Sequence, residues 1–264
     1  RAKDGVKEIV IIAQDVTRYG LDLYNKLALP ELLDKLCEIE GLKWIRLLYC
    51  YPERVTDELI DCIKRQDKIV KYLDIPMQHC SDEILKRMNR KTTGAELRAL
   101  VAKLRREIPG ITLRTTFITG FPGETEADFI ELMDFVRWAK FERMGAFAYS
   151  EEEGTFAANH YEDNIPAETK QRRLDQLMAV QQEVSAEIEA AQVGRVLEVV
   201  IDRKEGDYYV GRTEYSSPEV DPEVLIPVSD GMLRVGTFYQ VEITDSSEFD
   251  LYGKRVKKSK RATQ

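Results

Sequence analysis

The stretch from Leu113 to Thr125 contains residues whose types and order suit ligand binding. It begins as a β-branched and aromatic run typical of a buried strand, and then breaks into Gly120-Phe121-Pro122-Gly123-Glu124-Thr125. Apolar residues follow at helical spacing, so the turn leads into a helix whose first N–H groups have no partner within the helix. We therefore predict a ligand-binding turn; the alternative is a tight strand-to-helix connection without a ligand.

Other polar residues follow strand-like segments in the same way. Gln14-Asp15, Gln78-His79 and Ser150-Glu151-Glu152 each come directly after a largely apolar run. The carboxyl ends of the strands of a curved parallel sheet meet on one rim, so we expect these residues to lie near the turn. The alternative for any one of them is that polar residues simply begin where a strand ends.

Strand-like and helix-like segments alternate up to about Ser150, which predicts a parallel α/β sheet. The predicted strands are Glu8–Ala13, Trp44–Tyr51, Tyr72–Gln78, Leu113–Thr119 and Met144–Tyr149. A long helix is predicted from Pro166 to Val193, because proline suits a first turn and apolar residues recur at helical spacing. Beyond Gly194, period-two segments predict a small closed barrel with strands at 196–201, 208–213, 224–228 and 238–244.

Composition restricts the class of protein. No apolar run approaches the roughly 20 residues of a membrane span, and no signal-peptide pattern is seen, so we expect a soluble, cytoplasmic protein. The net charge of −8 disfavours nonspecific attraction to nucleic acid. Residues 194–253 carry 13 acidic and 5 basic residues, whereas residues 254–264 carry 6 basic residues and no acidic one.

Four motifs of the chain resemble the methylthiotransferases of the radical S-adenosylmethionine superfamily. They are IAQDVTRYG at 12–20, DIPMQH at 74–79, the stretch at 113–125, and YSEEEGT at 149–155. The resemblance extends over essentially the whole chain. It implies a partial parallel (β/α) TIM-like radical SAM barrel over residues 1–165, a linking helix over 166–193, a small all-β, OB-like TRAM domain over 194–257 and a basic tail over 258–264.

Within that family, the resemblance is strongest to members that add a methylthio group to the β-carbon of an aspartate in small-subunit ribosomal protein 12. Relatives that act on transfer RNA tend to have Gln-Asn in place of Gln14-Asp15, and Arg-Pro in place of Glu152-Glu153. Phe156 departs from a proline that is common in the last motif. The acidic barrel independently favours a basic ribosomal protein over nucleic acid as the partner; the alternative is an ordinary solvated face.

The resemblance also implies roles for individual residues, although it assigns no catalytic residue. S-adenosylmethionine is the implied cofactor, with its ammonium group held near Gln14 and Asp15. Its ribose or carboxylate is expected near Gln78 and Arg114. The adenine is expected to be supported by Phe117, Ile118, Gly120, Phe121, Pro122 and Gly123, with the backbone from Ala148 to Ser150 at its edge. Substrate-facing acids are expected at Glu152, Glu214, Glu219 and Asp221.

The [4Fe–4S] cluster of this family is bound by a CxxxCxxC motif, which these 264 residues lack. Cys37, Cys50, Cys62 and Cys80 lie more than ten residues apart and have no metal-ligand spacing. We expect the cluster-binding region, the first barrel strand and its cysteine loop to lie outside this sequence. We therefore expect this polypeptide alone to have no metal site, to bind no iron–sulfur cluster and to be inactive.

Alternative functions remain open from the sequence. A transfer-RNA methylthiotransferase of the same family is the first of them. A metal-free barrel enzyme would need a nucleophile or an acid–base pair on the strand-end rim, which no motif here compels. A non-catalytic, protein-binding fragment is compatible with the main interpretation. Of the two histidines, His79 and His160, each is at least as well explained by a structural role as by a catalytic one.

Overall fold

The structure is a computed structural model that describes residues 2–256. The chain divides into two compact units, Arg1–Val184 and Ser185–Gln264, so the division falls within the long helix predicted for 166–193. The domain boundaries given above stay a prediction, and the basic tail predicted for 258–264 lies outside the described residues. Within residues 2–256, no helix combines the length and the apolar character that crossing a bilayer requires.

The first unit is built on the predicted parallel sheet of five strands. The strands pair in sequence order, β1-β2-β3-β4-β5, and every pairing is parallel. Their bounds are β1 Glu8–Ile11, β2 Trp44–Leu47, β3 Ile69–Asp74, β4 Thr112–Thr119 and β5 Arg143–Ala148. The third strand begins three residues earlier than predicted, because Ile69 and Val70 are buried in the sheet. It ends before Pro76, a residue that has no N–H to donate to a neighbouring strand.

Eight α-helices lie in the described chain. Their bounds are α1 Leu21–Tyr24, α2 Leu29–Cys37, α3 Asp57–Arg65, α4 Asp82–Arg87, α5 Gly94–Glu107, α6 Glu126–Ala139, α7 Phe156–His160 and α8 Ala167–Ala190. Capping fixes three of their starts, since the side chains of Thr56, Thr93 and Thr125 accept hydrogen bonds from N–H groups in the first turns of α3, α5 and α6. The short helices α1 and α7 were not predicted. Short 3-10 helices also occur at Ala2–Asp4, Val16–Arg18, Pro52–Arg54 and Val228–Asp230.

Alternate residues of β4 contribute to the hydrophobic core of the first unit. In β4, Leu113 and Phe117 are buried, whereas Arg114, Thr116 and Ile118 are only partly buried. Phe117 has no exposed surface, and its ring lies edge-on to those of Phe135 and Phe141 at centroid distances of 6.1 and 5.9 Å. One face of the sheet is therefore covered by helices, while the other carries the side chains from positions 114, 116 and 118.

The second unit contains the predicted closed barrel. Its strands are β6 Val196–Glu205, β7 Tyr208–Arg212, β8 Val224–Pro227, β9 Phe238–Ser246 and β10 Leu251–Arg255, in the order β10-β8-β7-β6-β9. The fifth strand was not predicted, because only four residues separate it from the end of β9 at Ser246 and its run is short. A cluster of inward-facing aliphatic residues, including Val199, Ile226 and Val241, fills the barrel.

We predict that Phe117→Ala lowers the free energy of unfolding of the first unit by about 3–5 kcal/mol, because it leaves a cavity in a fully packed site. Urea titration followed by tryptophan fluorescence measures this unit specifically, since both tryptophans, Trp44 and Trp138, lie in it. The matched control is Phe147→Ala, where 64% of the residue is exposed. Equal losses in the two variants would contradict the described orientation of β4.

Candidate functional site

The loops at the carboxyl ends of the five strands are joined to one another by backbone hydrogen bonds. Val16 N–H donates to the Tyr49 carbonyl over 3.1 Å, and Gln78 N–H donates to the Thr116 carbonyl over 2.9 Å. Tyr149 N–H likewise donates to the carbonyl of Thr119, at 2.8 Å. The polar segments that the sequence placed after each strand therefore do lie along one edge of the sheet.

A cavity of 440 Å³ opens among these loops. Three of the predicted cofactor-binding residues line it: Gln78, Ile118 and Phe121. The remaining wall comes from residues that were not predicted, among them Tyr51, Arg87, Arg90 and the segment 155–157. A cavity with an apolar floor and a few polar groups is the usual form of a small-molecule site.

The backbone of Gln78 is strained. Its φ is +71°, in the left-handed region that residues other than glycine seldom adopt. Its N–H and carbonyl are both used in hydrogen bonds, to the Thr116 carbonyl and from the Ile118 N–H. The side-chain amide has no partner among residues 2–256 and lines the cavity. It is therefore available to a ligand.

The side chain of Glu124 fixes the position of the turn that follows β4. The buried Glu124 carboxylate accepts a hydrogen bond from Gly120 N–H and forms an ion pair with Arg173, 3.2 Å away on α8. Burial raises the pKa of Glu124 to about 7, although Arg173 and the backbone N–H groups act in the opposite direction. Phe121 packs edge-on against Tyr149, at a centroid distance of 5.0 Å.

Both glycines of the turn are required by protein side chains that pack against them. A Cβ on Gly120 would lie 2.3 Å from Cγ of Lys170, and one on Gly123 would lie 2.7 Å from the guanidinium carbon of Arg87. Their φ values, +70° and +88°, are also in the left-handed region. Pro122, between them, is buried and its carbonyl accepts a hydrogen bond from Arg87.

The two residues predicted to hold the ammonium group differ in their surroundings. Gln14 is exposed. Asp15 caps the short helix at 16–18 through Thr17 N–H and forms an ion pair with Arg54 at 2.9 Å. The Asp15 carboxylate is therefore already hydrogen-bonded and ion-paired within the protein, and its role toward a cofactor stays a prediction.

Arg114 is also paired within the protein, because its guanidinium forms an ion pair with the buried Asp74 at 3.0 Å. The second oxygen of Asp74 accepts a hydrogen bond from Tyr49 N–H, also at 3.0 Å. A role for Arg114 in binding the cofactor carboxylate would require sharing it with Asp74. The Phe117 ring lies in the core and only the Phe117 backbone reaches the strand end, so any support of the adenine by Phe117 would come from its backbone and stays a prediction.

The last predicted motif contributes to the cavity through different residues than expected. Ala148 is half-buried at the end of β5, and Ser150 and Glu152 are exposed and do not line the cavity. The Glu152 carbonyl instead accepts hydrogen bonds from the backbone and hydroxyl of Thr155, which begins α7. Thr155 and the two residues after it line the cavity.

Three predicted substrate-facing acids belong to the second unit. Glu214 and Asp221 are half-buried, and the Asp221 carboxylate accepts a hydrogen bond from Ser217 N–H at 2.8 Å. Glu219 is exposed and has a φ of +68°. Of the three, Glu219 presents the most accessible charge.

The structure also reveals a layer of charged residues that was not predicted. It lies on the face of the sheet that carries Arg114, opposite to the face of Leu113 and Phe117. Arg46, with no exposed surface, forms an ion pair with Glu8 at 3.0 Å and lies 4.7 Å from the centroid of the Tyr72 ring. The pair of Asp74 and Arg114 continues this layer across β3 and β4. A signal was present in the sequence, because single charged residues, Glu8 and Arg46, stand in otherwise apolar strands.

The cysteines do not fit an iron–sulfur cluster. Cys50, Cys62 and Cys80 are buried, and burial raises the pKa of each thiol, that of Cys62 to about 12, so the thiolate form that binds iron is disfavoured. Across residues 2–256, no three His, Cys, Asp or Glu side chains come together as a possible metal site.

The histidines differ in their environment. His79 is fully buried, and its Nδ1 accepts a hydrogen bond from Ser81 N–H at 3.0 Å. The ring is therefore neutral with its proton on Nε2, and burial lowers the pKa of His79 to about 4. His160 is exposed and stacks on Phe156 at a centroid distance of 3.9 Å.

A five-stranded parallel sheet covered by helices on one face, with a cavity at the strand ends, defines an α/β partial-barrel protein of the kind that binds a cofactor at the carboxyl ends of its strands. Residues 1–136 match the family described as the radical SAM superfamily, and residues 193–256 match the TRAM domain. The chain belongs to the radical SAM superfamily. The predicted fold class is confirmed.

Curated relatives carry one recurring description. The chain is 57% identical over 96% of its length to the ribosomal protein uS12 methylthiotransferase RimO of Bacteroides thetaiotaomicron, and 51% identical over 96% to that of Porphyromonas gingivalis (strain ATCC 33277). It spans 58% and 59% of the length of these two relatives. Among solved structures, coproporphyrinogen III oxidase (HemN) from Escherichia coli aligns with a TM-score of 0.49 at 16% identity, covering 70% of this chain and 50% of that one.

We predict that His79 makes the stability of the first unit depend on pH. The unfolded histidine has a pKa near 6.5 and the folded one near 4, so the unfolded state binds more protons between these values. Stability should fall as the pH falls from 6.5 to 4, by roughly 3 kcal/mol more in the wild type than in His79→Gln. Urea titrations at several pH values measure the difference.

His160→Gln is the matched control, since it removes the only other histidine from an exposed position. It should leave the pH dependence of the wild type unchanged. A pH dependence that is the same in His79→Gln as in the wild type would show that His79 is not held in its neutral form.

Proposed function

We propose that this chain is the core part of a radical S-adenosylmethionine methylthiotransferase that acts on an aspartate β-carbon of ribosomal protein uS12. The observation that carries the proposal is the 57% identity, over 96% of the chain, to a relative described as a uS12 methylthiotransferase. Because the chain spans 58% of that relative, the activity is proposed for the longer protein. Its cofactors would be S-adenosylmethionine and [4Fe–4S] clusters with ligands outside the described residues.

The strand-end cavity fits the adenosyl part of such a cofactor. Ile118 and Phe121 offer an apolar surface for a flat base, and the Gln78 amide offers hydrogen bonds that no residue in 2–256 uses. When bound, the cofactor would supply removal of a hydrogen atom from an unactivated carbon after its reductive cleavage. The part of this chain in that chemistry is to bind and orient the cofactor and to limit access of water.

The turn at 120–123 would form the edge of this site. Its position is fixed by Glu124 and Arg173, so a ligand would meet a surface that is already ordered. The proposed roles of Gln14, Asp15 and the backbone at 148–150 complete the cofactor site along the same strand ends. Substrate would approach from the side where Glu152 is exposed.

The acidic barrel supports a basic protein partner. Thirteen acidic and five basic residues lie in 194–253, a balance that repels phosphates and attracts a basic ribosomal protein. A uS12 substrate also places the proposed activity in the cytoplasm, where ribosomes are assembled. Transfer of a methylthio group can be tested by mass spectrometry of uS12 after incubation with the longer gene product, reconstituted without oxygen.

We predict that the 264-residue chain binds uS12 more tightly than transfer RNA, and that Glu219→Lys weakens uS12 binding about threefold to tenfold at low salt. The reason is that Glu219 is exposed and has no ion-pair partner in the described chain. Surface plasmon resonance at two salt concentrations measures the effect, which should shrink as salt rises.

Asp67→Lys is the matched control, because it makes the same charge change at an exposed turn in the first unit. It should leave uS12 binding nearly unchanged. Tight, salt-sensitive binding of transfer RNA with no binding of uS12 would instead favour the transfer-RNA alternative.

A further inference from the structure

Arg87, the last residue of α4, is fixed in place at the wall of the 440 Å³ cavity. Its Nε donates a hydrogen bond to the Pro122 carbonyl at 2.8 Å, and its guanidinium carbon lies 4.2 Å from the centroid of the Tyr161 ring. The guanidinium also lies against Gly123, where a Cβ would approach it to 2.7 Å. The Arg87 guanidinium is therefore held at Nε by the Pro122 carbonyl and on one face by the Tyr161 ring, and its terminal nitrogens are left for a further partner.

Arg90 is held in the same manner three residues later. Its Nη2 donates to the Pro76 carbonyl, and its guanidinium carbon lies 4.7 Å from the centroid of the Tyr51 ring. Arg90 lines the same cavity as Arg87. Two arginines that are both stacked on tyrosine and both anchored to a proline carbonyl thus share one wall.

Neither arginine is matched by a carboxylate. In the part of the chain that the structure describes, Arg87 and Arg90 form no ion pair, and the described residues that line the cavity include no acidic side chain. Other arginines near the strand ends are matched, as Arg54 is by Asp15 and Arg114 by Asp74. The cavity wall therefore carries two positive charges in a chain whose net charge is −8.

Such a pair is suited to a carboxylate. A guanidinium stacked on a ring keeps its remaining in-plane N–H groups for a planar acceptor such as a carboxylate, and it loses little freedom on binding because it is already ordered. The acidic character of the chain disfavours a nucleic-acid phosphate at this position. Arg114, the residue first expected to bind a carboxylate, is already paired.

We propose that Arg87 and Arg90 form a carboxylate-binding site in the strand-end cavity. Two carboxylates are available if the proposed function, on which this inference rests, is correct. One is the side chain of the substrate aspartate, whose carboxylate is attached to the reacting carbon, so that fixing it fixes the position of that carbon. The other is the carboxylate of S-adenosylmethionine. Both have the same chemistry, and the test separates them.

The test compares charged and neutral forms of each ligand by isothermal titration calorimetry with the 264-residue chain. One arm uses S-adenosylmethionine and its decarboxylated analogue. The other uses a uS12 peptide containing the aspartate and the same peptide with asparagine. In at least one arm, the wild type should bind the carboxylate form about tenfold or more tightly than the neutral form. Arg87→Gln and Arg90→Gln should each reduce that preference several-fold, and the arm that responds identifies the source.

Arg98→Gln is the matched control, since Arg98 also stacks on aromatic rings, those of Phe135 and Trp138, and does not line the cavity. It should keep the wild-type preference, and circular dichroism should show all three variants folded. Equal binding of charged and neutral ligands by the wild type, an unchanged preference in both cavity variants, or no binding of any ligand at millimolar concentration would overturn the proposal. So would an RNA oligonucleotide being the only ligand to respond.

The two proposals fail differently. If the carboxylate preference is absent while intact uS12 still binds, the site proposed here is wrong and the proposed function stands. If uS12 does not bind but S-adenosylmethionine is preferred over its decarboxylated analogue through Arg87 and Arg90, the site stands and the substrate is wrong.

Discussion

The buried ion pair between Glu124 and Arg173 is the interaction on which the strand-end cavity depends. Glu124 accepts the Gly120 N–H, and Arg173 also donates to the Glu124 carbonyl at 3.1 Å, so one contact joins the turn after β4 to α8. Removing a charge from water costs several kcal/mol, and loss of either partner would leave the other buried and unmatched. The order of the turn and the position of α8 are therefore coupled.

The same need to match a buried charge distinguishes two groups among five arginines of the first unit. In one group, each guanidinium meets a carboxylate: Arg46 with Glu8, Arg114 with Asp74 and Arg173 with Glu124. In the other group, Arg87 and Arg90 have only carbonyl oxygens and tyrosine rings as partners in the described chain. Ion pairs neutralise the arginines of the first group. The positive charge that a ligand in the cavity would meet therefore comes from Arg87 and Arg90.

The elements of the fold could be predicted because strand and helix periods are local signals. The strand at 112–119 and the turn after it were placed correctly, although the role predicted for Phe117 did not distinguish its ring from its backbone. Alternation along β4 puts the Phe117 ring on the same face of the sheet as Leu113 and opposite to Ile118. The face that the ring occupies could therefore be predicted from the two-residue repeat of a strand. The contacts of Arg87 could not be predicted, because its partners lie at positions 122 and 161 and its own segment has the pattern of a solvated helix end.

The two glycines of the turn show how a motif can specify a site indirectly. The turn was predicted to support the adenine, and in the structure protein side chains lie against both of its glycines: Lys170 lies against Gly120 and Arg87 lies against Gly123. A side chain at 123 would displace the Arg87 guanidinium, which is otherwise held between the turn and the Tyr161 ring. Gly123 is therefore needed to leave space for the Arg87 side chain, and Arg87 in that position lines the cavity with its positive charge.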